Sequence, residues 1–236
     1  MKKNQILFNK KQIRNIRDGH NLNSKYWQNW KKSLPLLPLD LIEIAIGMIL
    51  GDGSMYKKKI DALIKFEQGY KQTEFLIHLF ELFKGYCFMI EPGKRIELRG
   101  DRKGLLKSLW FKTFSHSSFT EIWNLFYVNG SNKKSIQKGL VLNHLSAKGL
   151  AYWIMCDGSL QNDKKTMILH TQSFSYEENL ILSNELNKKF NFKTKVISHK
   201  VKYYVIKFDS NDAFNLKNLI KPFMHLSLSY KIPILD

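Results

Sequence analysis

An apolar run closed by Asp-Gly occurs twice, and this repeat constrains the fold more than any other feature of the chain. Ile49-Leu50-Gly51-Asp52-Gly53-Ser54-Met55 is echoed by Ile154-Met155-Cys156-Asp157-Gly158-Ser159-Leu160, 105 residues further on. A chain of 236 residues with that period reads as two copies of one unit, each the size of a small domain. The offset persists beyond the motif. Phe66-Glu67-Gln68 falls on Thr171-Gln172-Ser173, and each copy then enters an amphipathic helix. The first spans 73–84 with Phe75, Leu76, Leu79, Phe80 and Phe83 apolar; the second spans 176–190 with Leu180, Ile181, Leu182 and Leu186.

Further along, the copies stay parallel while their register drifts. Residues 110–113 and 203–208 read as strands, 119–126 and 213–220 as helices. Each copy ends in a lysine-bearing loop, Asn132-Lys133-Lys134-Ser135-Ile136 and Ser229-Tyr230-Lys231-Ile232-Pro233. Each therefore reads helix, two strands, helix, two strands, helix, so the expected class is α+β with two αββαββα repeats at 39–140 and 141–236. Residues 1–38 lie outside the repeat and end in the Pro35 to Pro38 breaker stretch; they read as a basic N-terminal extension. In Arg95-Ile96-Glu97-Leu98-Arg99 polar and apolar side chains alternate, so Arg95, Glu97 and Arg99 share one strand face. That face is either an ordinary solvated one or part of a sheet turned toward nucleic acid.

Charge bears on that choice. Lys plus Arg is 38 against 20 acidic residues, a formal net charge of +18. Self-repulsion of that size is offset when a polyanion binds, so nucleic acid is the leading partner and a merely solvated basic surface the alternative. Of the basic residues 33 are Lys and five are Arg, which together with abundant Asn and Ile fits an A/T-rich coding genome. Lysine is a point charge suited to phosphate, whereas arginine forks onto guanine; the charge promises affinity more than specificity. With 44% hydrophobic residues the chain can bury a core, which excludes disorder as its main state. No uncharged apolar run approaches about 18 residues, so no membrane span is expected. Cys87 and Cys156 have no ligand spacing, which argues against a zinc site or disulfide framework and for a reducing compartment. Met1 to Lys11 is basic without an apolar core, so neither a secretory signal nor an import peptide is expected.

The repeated carboxylate poses a physical question. Residues 41–50 form a helical pattern with Gly47 and Gly51 four apart on one face. A helical glycine costs about 1 kcal/mol, and the close approach of another helix backbone would justify two. Asp52 follows at the C-terminal end, where the helix dipole disfavours negative charge; a nearby cation would resolve the conflict. An Asp-Gly turn that merely ends a helix is the alternative, and its recurrence in both copies favours a functional pair.

Ala45-Ile46-Gly47-Met48-Ile49-Leu50-Gly51-Asp52-Gly53 and Leu150-Ala151-Tyr152-Trp153-Ile154-Met155-Cys156-Asp157-Gly158 resemble the two LAGLIDADG motifs of the homing endonuclease family. Leu169-His170-Thr171-Gln172-Ser173-Phe174, Leu219-Ile220-Lys221-Pro222 and Ser229-Tyr230-Lys231-Ile232-Pro233 extend the resemblance, which covers residues 40–233. It implies a single-chain, two-motif enzyme. Its motif helices would pack together at a pseudo-twofold axis, and two antiparallel sheets would form a saddle in the DNA major groove. The implied reaction is divalent-metal-dependent hydrolysis of one phosphodiester in each strand.

Carried over by position, Asp52 and Asp157 would ligate metal, joined by the carbonyls of Gly51 and Cys156. All-oxygen ligation suits Mg²⁺, with Mn²⁺ as a substitute and Ca²⁺ expected to bind without supporting cleavage. Metal held there would activate water and stabilise phosphate charge. Lys134 and Lys231 would stabilise charge or orient water, or contact phosphate alone. Glu67 and Gln172, at equivalent places in the two copies, would position water or be ordinary strand-end residues. Two departures stand out: Tyr152 occupies the place of Gly47, and Cys156 that of Gly51. Tyr152 cannot lie between touching backbones, so helix packing should be asymmetric or rotated there, with Ala147 and Ala151 as a second small face.

Two diverged copies should read an asymmetric duplex site of roughly 20 bp. The expected contacts are Lys57, Lys58, Lys59, Lys65, Arg95, Glu97, Arg99, Lys193, Lys195, Lys200, Lys202 and Lys207. The expected partners are double-stranded DNA and, as a second partner, intron RNA, with the protein a monomer of internal pseudo-twofold symmetry and no membrane contact. The expected location is organellar, the mitochondrial matrix first, with a bacterial-type cytoplasm as the alternative. Rival functions are an intron RNA maturase, a catalytically inactive DNA-binding relative, and a basic RNA-binding module. The last leaves the repeated aspartates unexplained.

Overall fold

The computed structural model describes residues 24–58, 60–128, 131, 133–200 and 202–235. Ahead of the first repeat comes α1 (Lys25–Ser33). The first repeat then runs α2 (Leu39–Leu50), β1 (Ser54–Lys58), β2 (Asp61–Gly69), α3 (Thr73–Phe83), β3 (Gly93–Ile96), β4 (Leu106–Lys112) and α4 (Ser117–Phe126). A short helix, α5 (Leu140–His144), connects to the second repeat. That repeat runs α6 (Ala147–Asp157), β5 (Gly158–Leu160), β6 (Met167–Leu169), α7 (Tyr176–Phe190), β7 (Lys195–His199), β8 (Tyr203–Lys207) and α8 (Ala213–Ile220). The class is α+β with two antiparallel four-stranded sheets, ordered β1-β2-β4-β3 and β5-β6-β8-β7. The second repeats the topology of the first, as the sequence period requires.

Packing divides the chain differently from the repeat. One compact unit holds Gly53–Thr120 with the described residues before Ile42; the other holds Ile42–Asp52 with Glu121–Asp236. The first motif helix therefore belongs, for most of its length, to the unit built around the second repeat.

In the first unit, α3 packs on its sheet through Phe75, Leu76, Leu79, Phe80 and Phe83, all buried. Phe66 meets Phe111 at 4.8 Å and Phe83 at 5.0 Å between ring centroids. Burying each such side chain contributes about 1.5–3 kcal/mol. The described part of segment 1–38 is folded onto this unit. Ser24 caps α1, and Trp27 is fully buried with its ring 5.4 Å from that of Phe114. The Leu37 N–H donates to Ser118 Oγ at 3.0 Å, and Tyr86 donates its hydroxyl proton to the Leu36 carbonyl at 3.0 Å.

The strand expected at 95–99 begins earlier, at Gly93, and breaks register between Arg95 and Ile96. Ile96 is 45% and Leu98 76% exposed, so the alternation there has no apolar side against a core. The hairpin runs on to Glu97, whose N–H donates to the Leu105 carbonyl at 2.9 Å.

The second unit is organised by α7. Its N-terminus carries a capping box: Ser175 Oγ accepts from the Glu178 N–H, and the Glu178 carboxylate accepts from the Ser175 N–H. This reciprocal pair satisfies two backbone donors the helix cannot. The buried face of α7 carries Asn179, Ser183 and Glu185 among its leucines. Leu182 and Leu186 are buried as expected, while Leu180 and Ile181 are only half-buried. The polar members are all engaged. Asn179 accepts from Thr171 Oγ1 at 2.5 Å, Ser183 pairs with Thr194, and Glu185 accepts from the N–H groups of Gly139, Val141 and Leu142 at the start of α5.

Candidate active site

Two helices must touch backbone to backbone for this site to form. A Cβ added to Gly47 would lie 2.0 Å from the Gly149 carbonyl oxygen, and one added to Gly149 would lie 3.0 Å from the Glu43 oxygen. The small residue opposite Gly47 is therefore Gly149, three residues before Tyr152. Tyr152 is buried but is not among the atoms nearest Gly47, which all belong to Gly149, so the crossing does not pair the residues that superposing the motifs would pair. At the other end a Cβ on Gly51 would meet the Cys156 Cβ at 2.6 Å and Asp157 Oδ2 at 3.3 Å. The Asp157 carboxylate thus lies beside the end of α2.

The two lysine loops arrive at the same place. Lys134 donates from Nζ to the carbonyls of Ile49 (2.5 Å) and Gly51 (3.0 Å). Lys231, 7% exposed, donates to those of Met155 (2.6 Å), Cys156 (3.2 Å) and Ile154 (3.4 Å). Each ammonium closes the C-terminal end of one motif helix, where unpaired carbonyls and the negative end of the dipole collect. These lysines are the cations that the helix-terminal aspartates call for. Asp157 is the last residue of α6 and half-buried; Asp52 lies in the turn after α2 and is exposed.

Charges in this cluster are strongly coupled. Burial pushes the Asp157 carboxyl up, the Asp52 charge pushes it further, and Lys134 and Lys231 pull back only in part, leaving it at about 7. Burial lowers Lys134, opposed by Asp157 and Asp52, and lowers Lys231, opposed by Cys156, Asp157 and Asp52. The Cys156 thiol is pushed well above its usual range by burial and then by both aspartates, so it is a neutral packing group with its sulfur 3.5 Å from Met48 Sδ.

Among the described residues no group of three or more His, Cys, Asp or Glu side chains could hold a metal by itself. What the cluster offers is two carboxylates whose mutual repulsion a cation would relieve, with helix-end carbonyls beside them. That all-oxygen set fits a hard divalent ion that keeps waters or substrate phosphate among its ligands. The carbonyls of Gly51 and Cys156 each accept from a lysine, and each oxygen has a second lone pair.

Gln172 and Glu67 sit differently from one another. Ser54 pairs with Lys65 across the first hairpin, and Glu67 lies two residues beyond that partner. Ser159, the counterpart of Ser54, pairs with Ile168, and two residues beyond is His170. The strand register therefore matches Glu67 with His170, and Gln172 lies two residues further on. Sequence reading missed His170; the signal was the two-residue difference between the hairpins, which the constant offset of 105 hides. The imidazole lies between Ser159 Oγ (2.8 Å from Nε2) and Gln172 Nε2 (3.2 Å from Nδ1), and the His170 N–H donates to the Asp157 carbonyl at 2.9 Å. Glu67, in the other compact unit, accepts from Ser108 Oγ at 2.7 Å, pairs closely with Lys65, and receives Arg95 Nε at 2.9 Å. Burial alone would raise its carboxyl, but the hydrogen bonds from Lys65 and Ser108 and the two cations outweigh it and hold the pKa down.

The remaining basic positions fall on the sheets and their turns. In the first sheet Lys65, Glu67 and Arg95 share a face with Trp110, Lys112 and Tyr56. Lys57 shares a side with Ala62, Lys58 is opposite Asp61 at the strand end, and Lys59 lies outside the described residues. Glu97 pairs with Lys107 at 3.1 Å, and Arg99 is exposed in the hairpin loop. In the second sheet Lys195 faces Lys207 directly. Lys193, Lys200 and Lys202 are exposed beside it, Lys200 with a positive φ of 57° in the β7–β8 turn. Lys65 likewise faces Lys112 in the first sheet. Like charges directly opposite each other destabilise a sheet, and each sheet carries such a pair on one face.

Residues 42–216 match the profile of the LAGLIDADG DNA endonuclease family. The chain belongs to that family. It is 53% identical over 132 residues to the probable intron-encoded DNA endonuclease 3 of Mycosarcoma maydis, covering 55% of this chain and 96% of the relative. Over 234 residues it is 33% identical to the probable intron-encoded endonuclease 1 of Wickerhamomyces canadensis, 94% of this chain and 97% of that one. Among solved structures it is similar to the homing endonuclease I-WcaI bound to its DNA recognition sequence, with a TM-score of 0.83 and 31% identity over 98% of this chain and 100% of the other.

Proposed function

We propose that this LAGLIDADG protein is a homing endonuclease that hydrolyses one phosphodiester in each strand of a long, asymmetric DNA duplex. The observation that carries the proposal is the twofold arrangement in which each motif helix ends at an aspartate and is closed by a lysine, Asp52 with Lys134 and Asp157 with Lys231. Asp52 and Asp157 are the metal ligands, and the carbonyls of Gly51 and Cys156 lie within the same cluster. A bound Mg²⁺ or Mn²⁺ supplies Lewis-acid charge at the phosphate and lowers the pKa of water.

The chain's own residues do the rest. Lys134 and Lys231, pinned to helix-end carbonyls, hold positive charge beside the acid pair, where negative charge grows on the scissile phosphates. Glu67 in the first repeat, and His170 with Gln172 in the second, are the polar residues that order water, one set for each strand. The facing lysine pair Lys195–Lys207 would be relieved by phosphate, which supports a DNA-facing role for that sheet face. Intron-encoded relatives support an organellar setting, the mitochondrial matrix first. The presence of both repeats in one chain supports action as a monomer.

A second reading is RNA splicing, since one relative is the yeast protein named cytochrome b mRNA maturase bI2. RNA binding does not require the paired aspartates, and their retention favours cleavage. The test is to incubate the purified protein with the source genome's DNA lacking the intron, in Mg²⁺. Discrete double-strand breaks at one locus are expected, with binding but no cutting in Ca²⁺. Tight binding without any break in Mg²⁺ or Mn²⁺, together with stimulated intron splicing, would overturn the endonuclease reading in favour of the maturase.

A further inference from the structure

The loop that delivers Lys134 is tied down by the helix of the other repeat. Two residues after Lys134, the Ile136 N–H donates to Glu178 Oε1 at 2.9 Å. The other oxygen of the same carboxylate, Oε2, accepts from the Ser175 N–H at 2.7 Å. Glu178 thus does two things at once: it completes the capping box of α7 and anchors the backbone next to Lys134. Phe174, just before that cap, places its ring 5.5 Å from Lys134 Nζ. Two more residues on α7 continue the tether along the connector. Glu185 accepts from Gly139, Val141 and Leu142, and Lys189 donates to the carbonyls of Val141 (3.0 Å) and Leu142 (2.8 Å). Positions 178, 185 and 189 lie on one helical face. No carboxylate bond of this kind is found at the Lys231 loop among the described residues; there Ile232 and Ile234 bond to the backbone carbonyls of Ser229 and Lys164.

We infer that Glu178 is a positioning residue for Lys134, so that cleavage at one of the two half-sites depends on a side chain that acts through the backbone of the Lys134 loop. The inference rests on the proposed role of Lys134. A partly buried backbone donor that loses its acceptor must find another, and the loop carrying it shifts. A displacement of about 1 Å at a group that acts by position costs roughly 10²-fold in rate. The loss should fall on the strand served by Lys134 and spare the strand served by Lys231.

The experiment compares strand-specific cleavage of a labelled duplex by Glu178→Ala, Glu178→Gln, Ser175→Ala and Lys134→Ala, with DNA affinity measured in Ca²⁺. Ser175→Ala is the control for helix capping, because it removes the hydroxyl cap but leaves the Ile136 bond. Glu178→Gln keeps a carbonyl acceptor for Ile136 and guards against misfolding of the alanine variant. The expected result is that Glu178→Ala accumulates nicked DNA, slowed roughly 10²-fold on the same strand that Lys134→Ala slows. Affinity should be unchanged, Glu178→Gln intermediate, and Ser175→Ala cutting both strands as wild type does. If Glu178→Ala slows both strands equally, or neither, while Lys134→Ala is strand-selective, the positioning role is wrong and the proposed lysine role stands. If Lys134→Ala itself cuts both strands like wild type, the proposed role of Lys134 fails, and the inference with it.

Discussion

At the scale of residues, the centre is a balance of two carboxylates against two buried ammonium groups. Asp157 decides how that balance responds to pH. In the fold its carboxyl holds a proton up to about pH 7, against an ordinary value of 3.8. The folded state therefore binds this proton more tightly than the unfolded chain does. The stability it contributes is present below about pH 4 and is lost as pH rises through 7. In chelator, thermal unfolding of the wild type should show this decline between pH 4 and 7, and Asp157→Asn should flatten it by on the order of a few kcal/mol. Added Mg²⁺ should raise the wild-type melting temperature more at pH 8 than at pH 5. A wild-type profile that matches Asp157→Asn across this range would show that the carboxyl is not perturbed. Read as sequence, both aspartates were visible because they recur at a fixed offset, and both lysines because each copy ends in a lysine-bearing loop that matches the family resemblance. His170 was not, because its role follows from a hairpin register that differs by two residues between the copies.

At the scale of elements, the backbone contact of the motif helices is the least tolerant feature. Gly47→Ala places a methyl 2.0 Å from the Gly149 oxygen, and overpacking against a backbone costs about 3 kcal/mol or more. Gly85→Ala, with nothing within 4 Å of the added carbon, should be neutral or stabilising by up to about 1 kcal/mol. Denaturant unfolding of the two variants checks this; equal stability would refute the tight crossing. Helical periodicity made the repeat elements readable: α3, α7 and α8 run where the apolar spacing placed them. Gly149 escaped because aligning the motifs puts Tyr152, and not Gly149, opposite Gly47. The buried polar residues of α7 escaped because their partners, the start of α5 and the turn before α7, are supplied by tertiary structure. Helix α1 was hidden because three of its nine residues are lysines and only one, Trp27, is buried to anchor it.

At the scale of the whole molecule, a charge of +18 carried mainly by lysine makes DNA binding a phosphate-dominated event. For a protein neutralising several phosphates, affinity falls by on the order of 10³–10⁵ between 50 and 200 mM salt. Equilibrium binding to the cognate duplex in Ca²⁺ should follow that slope, and Lys195→Ala with Lys207→Ala should reduce it by about two phosphates' worth. A slope unchanged by the double substitution would remove that sheet face from the interface. Under the proposed function, the charge binds the duplex and the acid pair turns binding into cleavage. The most direct measurement is therefore of binding and cutting side by side in Asp52→Asn and Asp157→Asn, on the duplex that the wild type cleaves. Each variant should bind with wild-type affinity or better and lose double-strand cleavage in Mg²⁺ and Mn²⁺; either variant cutting both strands at the wild-type rate would contradict the assignment of this centre.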